Sequence, residues 1–373
     1  MKPTIMQATK YYWPHTGGME SHIAGISEEL ADLGYKMKVV TSNIPASKKK
    51  QELNGVKIFR CRSYFNLSND PFTPGAFFRL LAEEYDLLHV HLPDPFYGVY
   101  SLIASVFKNK PLVVTYHADI LKKRWFERLL FFFYRPLLYL TLARAAKIIV
   151  TSGSYAGGSG VLVRFGDKVD VVPNFVDHHL FNPQNNGQQI RTKHNLLNKK
   201  TILFVGRLVP YKGVKHLIEA VKKIKDTTLL IVGDGPLKAE LQKQARDSNI
   251  IFISNVSEKM LPQYYAACDL FILPSVTRQE AFGITLLEAM ASAKPTITSN
   301  ISGMPWVIGD CGLKIEPENP SALAKAIKSL LQDENKRKKM GSCGRTRVID
   351  YFTKEKVAAE ILKLYLNILN KTK

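Results

Sequence analysis

Short, nearly continuous apolar runs alternate with longer helical stretches along most of this chain. A strand that is apolar on both sides must be covered on both faces, so the alternation predicts parallel sheets packed between helices. Strands are predicted at residues 4–8, 38–41, 87–91, 112–115, 147–151 and 169–172, with helices between them, for example at 19–33 and 95–107. The alternation then stops. Residues 178–200 are polar, with Asn182-Pro183, Asn185-Asn186-Gly187 and Lys199-Lys200, and read as an interdomain connection. It restarts with strands predicted at 201–205, 228–232, 250–253, 269–273 and 295–298, joined by helices at 214–223, 236–245 and 259–267. Residues 321–370 read as mostly helical, and Asn370-Lys371-Thr372-Lys373 as a frayed end.

The predicted fold class is α/β, with two doubly wound, Rossmann-like domains facing each other across a cleft. Their expected limits are 1–180 and 201–353, with 181–200 as linker. A chain of 373 residues is long for one domain and fits two. In such sheets ligands bind beyond the carboxyl ends of the strands, so residues just after strands carry the functional reading.

Lysine and arginine number 52 against 32 acids, a net charge of +20, which favours anionic partners such as phosphates, nucleic acid or anionic lipid. The basic residues are spread over both halves. A helix-turn-helix signature, zinc-finger spacing and an aromatic RNA-binding strand pattern are all missing, which leaves a nucleic-acid-binding protein as a remote alternative. Cys61, Cys268, Cys311 and Cys343 stand far apart, without metal-ligand spacing, and are expected as reduced thiols in a cytosolic protein. Met1-Lys2-Pro3-Thr4 runs into a strand and does not read as a secretory signal.

Residues 129–150 are strongly apolar, but Arg135, Pro136, Arg144 and Lys147 argue against a spanning helix. A buried helix is one reading. The other is a membrane-facing patch, because Lys122-Lys123-Arg124-Trp125-Phe126-Glu127-Arg128 interleaves basic and aromatic residues just before it.

Several residues beyond strand ends could carry chemistry. Gly17-Gly18-Met19-Glu20 opens a helix after the first strand, where backbone amides and the helix dipole suit an anion. His117 and Asp119 follow the strand at 112–115; His117 reads either as a structural histidine or as a donor to a sugar hydroxyl. Arg207 and Lys212, in Gly206-Arg207-Leu208-Val209-Pro210-Tyr211-Lys212-Gly213, could neutralise a diphosphate. Glu280 and Glu288 bracket Ala281-Phe282-Gly283-Ile284-Thr285-Leu286-Leu287, a glycine turn into a helix whose first amides (Gly283, Ile284, Thr285) suit a phosphate. Glu288 lies among apolar neighbours, and a carboxylate there needs a partner. Cations and helix-start amides for a diphosphate, with carboxylates for hydroxyls, together suit a sugar nucleotide.

In order and spacing these elements resemble glycosyltransferase family 4, retaining enzymes of the GT-B fold. The resemblance spans nearly the whole chain and also takes in Val172-Pro173-Asn174-Phe175-Val176-Asp177, Gly233-Asp234-Gly235-Pro236, and Pro274-Ser275 through Glu288-Ala289-Met290-Ala291. Two positions depart from the family: Phe175 stands where glycine is usual, and Trp306 in Ser302-Gly303-Met304-Pro305-Trp306 stands where glutamate is usual.

The resemblance implies a transfer of mannose, glucose or a related hexose from a GDP- or UDP-linked donor. It places Arg207 and Lys212 on the donor diphosphate, with Gly18 adding an amide. Glu280 then meets the donor sugar, Glu288 the ribose and Asn255-Val256 the base, with His117 beside the transferred sugar. Gly17, Glu20 and Asp119 lie on the acceptor side. It also implies that the helix at 354–371 packs back on the first domain. No metal or other cofactor is expected, since the paired cations can do a divalent ion's work. A lipid-linked saccharide or glycolipid is the expected acceptor, with the protein cytoplasmic and peripheral on the cytoplasmic membrane face. The same chemistry on a soluble acceptor, or a nucleotide-sugar epimerase, are the alternatives.

Overall fold

The computed structural model describes residues 2–15, 17–67, 70–120 and 125–371. The chain divides into two units. One comprises residues 1–173 and 354–373, the other 174–353.

The first unit is built on an eight-stranded sheet. Its strands are β1 (Thr4–Ala8), β2 (Lys36–Ser42), β3 (Lys50–Leu53), β4 (Val56–Cys61), then, after a small hairpin of β5 (Phe65–Leu67) and β6 (Asp70–Phe72), β7 (Leu87–Leu92), β8 (Leu112–Tyr116), β9 (Lys147–Val150) and β10 (Val169–Val171). The order is β10-β9-β8-β7-β1-β2-β4-β3, and all pairs are parallel except β3 with β4. Every residue of β7 and β8 is buried, as a parallel strand covered on both faces requires. The sequence reading omitted β3 to β6. For β3 and β4 a signal was there: Asn54-Gly55, both at positive φ, joins Leu53 to Val56 as a two-residue hairpin turn.

The second unit carries β11 (Lys200–Val205), β12 (Thr227–Val232), β13 (Ile250–Ile253), β14 (Leu270–Leu273), β15 (Thr296–Ser299) and β16 (Gly312–Ile315). They form one parallel sheet in the order β13-β12-β11-β14-β15-β16. The strand that begins with Gly312 was not predicted; a glycine-led Gly-Leu-Lys-Ile run carries little strand signal.

Two expectations need correction. Residues 181–200 are not a free linker: Phe181, Ile190 and Leu196 are buried in the core of the second unit, and Arg191 donates to the carbonyls of Leu196, Lys199 and Ala267. Cys311 and Cys343 are joined as a disulfide with a Cα–Cα distance of 5.3 Å, where reduced thiols were expected. A separation of 32 residues gives no sequence signal; the fold brings the turn before β16 against the helix Glu334–Tyr351. The helix Trp125–Arg144, left open between a buried helix and a membrane-facing patch, is buried on one face only. Tyr134, Leu138, Thr141 and Leu142 face inward, while Trp125, Leu129, Phe132, Phe133 and Leu140 are exposed on the opposite face. Lys122, Lys123 and Arg124, read with it from sequence, lie outside the described residues, as do Met1, Thr372 and Lys373. Asn370 and Lys371 complete the last helix, Lys354–Lys371.

That last helix belongs to the first unit. It buries Val357, Ala358, Ile361, Leu364, Tyr365 and Ile368, and Tyr365 bonds to β1 and β7 through Gln7 and His89. Among the described residues no helix is long and apolar enough to cross a membrane.

Candidate active site

In the second unit two loops at the carboxyl ends of adjacent strands are locked together. After β11 the chain passes Gly206 and Arg207, makes a short turn at Pro210–Lys212, and enters the helix Val214–Val221 through Gly213, whose φ of 66° is left-handed. A β-carbon at Gly213 would lie 2.1 Å from the Pro274 carbonyl oxygen, so only glycine allows this approach. Val276 N–H donates to the Tyr211 carbonyl at 2.8 Å, tying the loop after β14 to the loop after β11.

This closeness produces a buried ion pair. Lys212 Nζ lies 2.5 Å from Glu280 Oε2, and Ser275 Oγ donates to the same oxygen at 3.3 Å. Desolvation works against the Lys212 charge, but the Glu280 carboxylate, with Tyr211 and Glu288 behind it, outweighs that and raises its pKa. Arg207 is exposed on the same loop and acts electrostatically on Tyr211.

Gly283 caps the helix Ile284–Ala291 in a left-handed conformation. Thr285 Oγ1 there is buried and has no hydrogen-bond partner among the described residues. One turn on, Glu288 Oε2 accepts from Tyr265 Oη at 2.6 Å. Burial pushes the Glu288 carboxyl up to about 7, against the Tyr265 hydrogen bond, with Glu258 adding to the rise and Lys212 opposing it. Asn255, exposed at φ 57°, and half-buried Val256 follow β13. Thus Arg207, Lys212, Glu280, Gly283, Ile284, Thr285, Glu288, Asn255 and Val256 all lie beyond carboxyl strand ends of one sheet. Lys212, Glu280 and Glu288 interact directly or electrostatically. Tyr265, which holds Glu288, was missed, since a lone tyrosine gives no signal without the fold; Ser275, which holds Glu280, stood in the Pro274-Ser275 element of the resemblance without an assigned role. Trp306 packs against Phe282 and Phe352, with ring centroids at 6.3 and 5.5 Å.

In the first unit Gly17 and Gly18 open the helix Gly18–Asp32, as expected. Glu20 turns back toward His15, its carboxylate 3.4 Å from His15 Nδ1. Asp119 is engaged internally: Oδ1 accepts from Tyr116 Oη at 3.0 Å and Ser159 Oγ at 2.7 Å. His117 follows β8 and bonds through Nε2 to His91 Nδ1 at 3.0 Å, with His22 from the first helix edge-on at 6.2 Å. Burial and the neighbouring His22 and His89 depress its pKa well below the usual value, so the ring is neutral at pH 7. The sequence reading missed His89 and His91. They stand two apart on β7 and so share one face of the strand, a pattern readable from Leu88-His89-Val90-His91.

Comparison with known proteins gives the family. Residues 16–180 match the family model described as Glycosyltransferase Family 4, and residues 186–347 match Glycosyl transferases group 1. The chain is 31% identical to D-rhamnosyltransferase WbpZ of Pseudomonas aeruginosa, covering 94% of this chain and 92% of that protein. It is 29% identical to O-antigen chain mannosyltransferase C of Escherichia coli, covering 98% of each. Its fold matches sucrose-phosphate synthase of Thermosynechococcus elongatus with a TM-score of 0.82 at 22% identity, covering 99% of this chain and 100% of that one. The family models and the fold therefore define a glycosyltransferase of the GT-B class. The chain belongs to the family of the Glycosyltransferase Family 4 and group 1 models.

Proposed function

We propose that this glycosyltransferase moves a mannose, glucose or related hexose, with retention, from a GDP- or UDP-linked donor to a lipid-linked saccharide or glycolipid at the cytoplasmic membrane face. The buried Lys212–Glu280 pair carries the reading: it sets a cation and a carboxylate side by side where a sugar diphosphate would present its charged and hydroxylated parts.

In this reading Arg207, Lys212 and the amides of Gly283, Ile284 and Thr285 receive the diphosphate. Gly18 adds an amide at a second helix start. Glu280 orients the sugar, Glu288 the ribose, and Asn255-Val256 flank the base. Gly17, Glu20 and Asp119 shape the acceptor side. The bond from the anomeric carbon to the diphosphate oxygen breaks, with charge growing on the phosphate beside Arg207 and Lys212. The acceptor oxygen then bonds that carbon on the same face, and its proton passes to a phosphate oxygen, so no protein base is needed. No resident cofactor enters this scheme.

The names of the two relatives, an O-antigen chain mannosyltransferase and a D-rhamnosyltransferase, support a saccharide acceptor. The lipid link and peripheral membrane location are supported by the helix Trp125–Arg144. Its outer face exposes 77% of Trp125 and 67% of both Phe132 and Phe133, with exposed Arg128 and Arg135 at its edge.

The test is incubation with GDP- and UDP-hexoses plus either membrane lipid extract or soluble sugars, followed by mass and NMR analysis of the product. An α-linked glycolipid from an α-linked donor is expected. A soluble product alone moves the acceptor assignment to the alternative, inversion removes retention, and an altered nucleotide sugar without acceptor indicates an epimerase.

A further inference from the structure

We propose that Gln7 and Tyr365 are positioning residues that fix the proton of His117 on Nε2 and leave Nδ1 as a hydrogen-bond acceptor for a substrate hydroxyl. The substrate contact rests on the reading of His117 above; the proton placement does not.

A buried chain of hydrogen bonds crosses β1, β7, β8 and the last helix. Gln7 Oε1 lies 2.9 Å from His91 Nε2. An amide oxygen only accepts, so His91 carries its proton on Nε2. His91 is fully enclosed and neutral, so its Nδ1 is bare and must accept from His117 Nε2–H at 3.0 Å. His117 is neutral too, which leaves its Nδ1 unprotonated. Its donor role expected from sequence is thereby reversed.

The other branch sets the amide's orientation. Gln7 Nε2 donates to Tyr365 Oη at 3.2 Å, and Tyr365 Oη stands 2.5 Å from His89 Nδ1. The short distance suits an O–H donor and the longer one an N–H donor. The phenol therefore donates to His89 Nδ1, and His89 Nε2–H passes on to Thr115 Oγ1 at 2.7 Å. Turning the Gln7 amide over would reverse every proton in the chain and make His117 Nδ1 a donor. Tyr365 opposes that reversal by holding the amide nitrogen. The C-terminal helix thus reaches the candidate site through one hydroxyl, at the carboxyl end of a strand two places from β1.

The test is long-range 1H–15N correlation on the histidine-15N-labelled full chain, which reads the protonated nitrogen of each ring without substrate. Wild-type His117 protonated on Nε2 is expected; protonation on Nδ1 overturns the proposal. In Tyr365→Phe the amide is free to turn, and both His117 forms should be populated. The same outcome is expected in Gln7→Met, which keeps the test open should one variant not fold. An unchanged His117 in a folded variant overturns the positioning role. With the donor found by the product assay, kcat/KM should fall roughly fivefold in either variant, the scale of one hydrogen bond. A shifted tautomer with unchanged turnover upholds the proton placement and overturns the substrate contact alone.

Discussion

The Lys212 ammonium and the Glu280 carboxylate lie 2.5 Å apart with little water around either, each side chain retaining 11% exposure. The cation assigned to the diphosphate is therefore already held in place by the carboxylate assigned to the sugar. Such preorganisation is what transition-state stabilisation requires, because nothing has to reorient as charge develops.

Lys212→Ala should lower turnover by about two to three orders of magnitude. It should also cost about 3 kcal/mol of stability, because Glu280 is left buried without its counter-charge. The double variant Lys212→Met/Glu280→Gln separates the effects. Chemical denaturation should show most of the stability restored while turnover stays low. Normal turnover in folded Lys212→Ala would remove the assignment.

Gly213→Ala tests how the pair is built. The new methyl would meet the Pro274 carbonyl at 2.1 Å in a left-handed conformation. A loss of about 3 kcal/mol is expected, with a parallel loss of turnover, since Pro274 leads into Ser275 and Glu280. Gly157→Ala, where nothing lies within 4 Å of the added carbon, is the control and should leave melting and turnover unchanged.

Much of this was legible beforehand for a physical reason. Parallel strands covered on both faces announce themselves as apolar runs, and ligand groups in such sheets follow the strands, so Lys212, Glu280, Glu288 and His117 could be named from sequence. Edge and hairpin strands such as β3 and β5 carry weak patterns because one side faces water. Tertiary partners carry none: Tyr265 under Glu288, Tyr365 on His89 and the Cys311–Cys343 bond join residues far apart in the chain. The boundary at Pro173 was masked because residues 181–200 are polar on the outside while Phe181, Ile190 and Leu196 face the core.

Glu288 gives a pH signature. Its folded pKa of about 7 lies above the ordinary carboxyl value, so the folded protein binds that proton more tightly than the unfolded chain. The resulting loss of stability is absent below the unfolded pKa and complete above about 7. Glu288→Gln, which can still accept from Tyr265, should therefore melt higher than wild type at pH 8, by about 1–2 kcal/mol of stability, and show little difference at pH 4.5. In the wild type, donor KM should rise as pH falls through 7, where the carboxylate that would hold the ribose becomes protonated. A pH-independent difference in melting would refute the assignment.

The histidine cluster has the opposite sign. Burial lowers His22 to about 4 and His89 to about 3, and depresses His91 and His117 well below the usual value. Each is protonated more readily in the unfolded chain, so its contribution is complete above pH 6.5 and is lost as pH falls toward the folded pKa. Each contributes a slope of up to about 1.4 kcal/mol per pH unit in that window. Urea midpoints measured from pH 7.5 to 4.5 should fall steeply, and His22→Asn should make the fall shallower. Equal slopes in both proteins would show that His22 is not held neutral.

The exposed face of the helix Trp125–Arg144 makes the last prediction. Phe132 and Phe133 add little to folding because they point away from the side that carries Tyr134 and Leu138. Phe132→Ser/Phe133→Ser should leave stability within about 0.5 kcal/mol of wild type. If the face enters an anionic bilayer, the same variant should weaken binding to phosphatidylglycerol-containing vesicles by roughly 30-fold, from the apolar area no longer inserted. Arg128→Ser/Arg135→Ser should weaken binding chiefly at low salt, since each arginine near the surface adds about 1 kcal/mol that screening removes. Sedimentation with vesicles at two salt concentrations separates the contributions. Unchanged binding in both variants would place membrane attachment elsewhere on the chain.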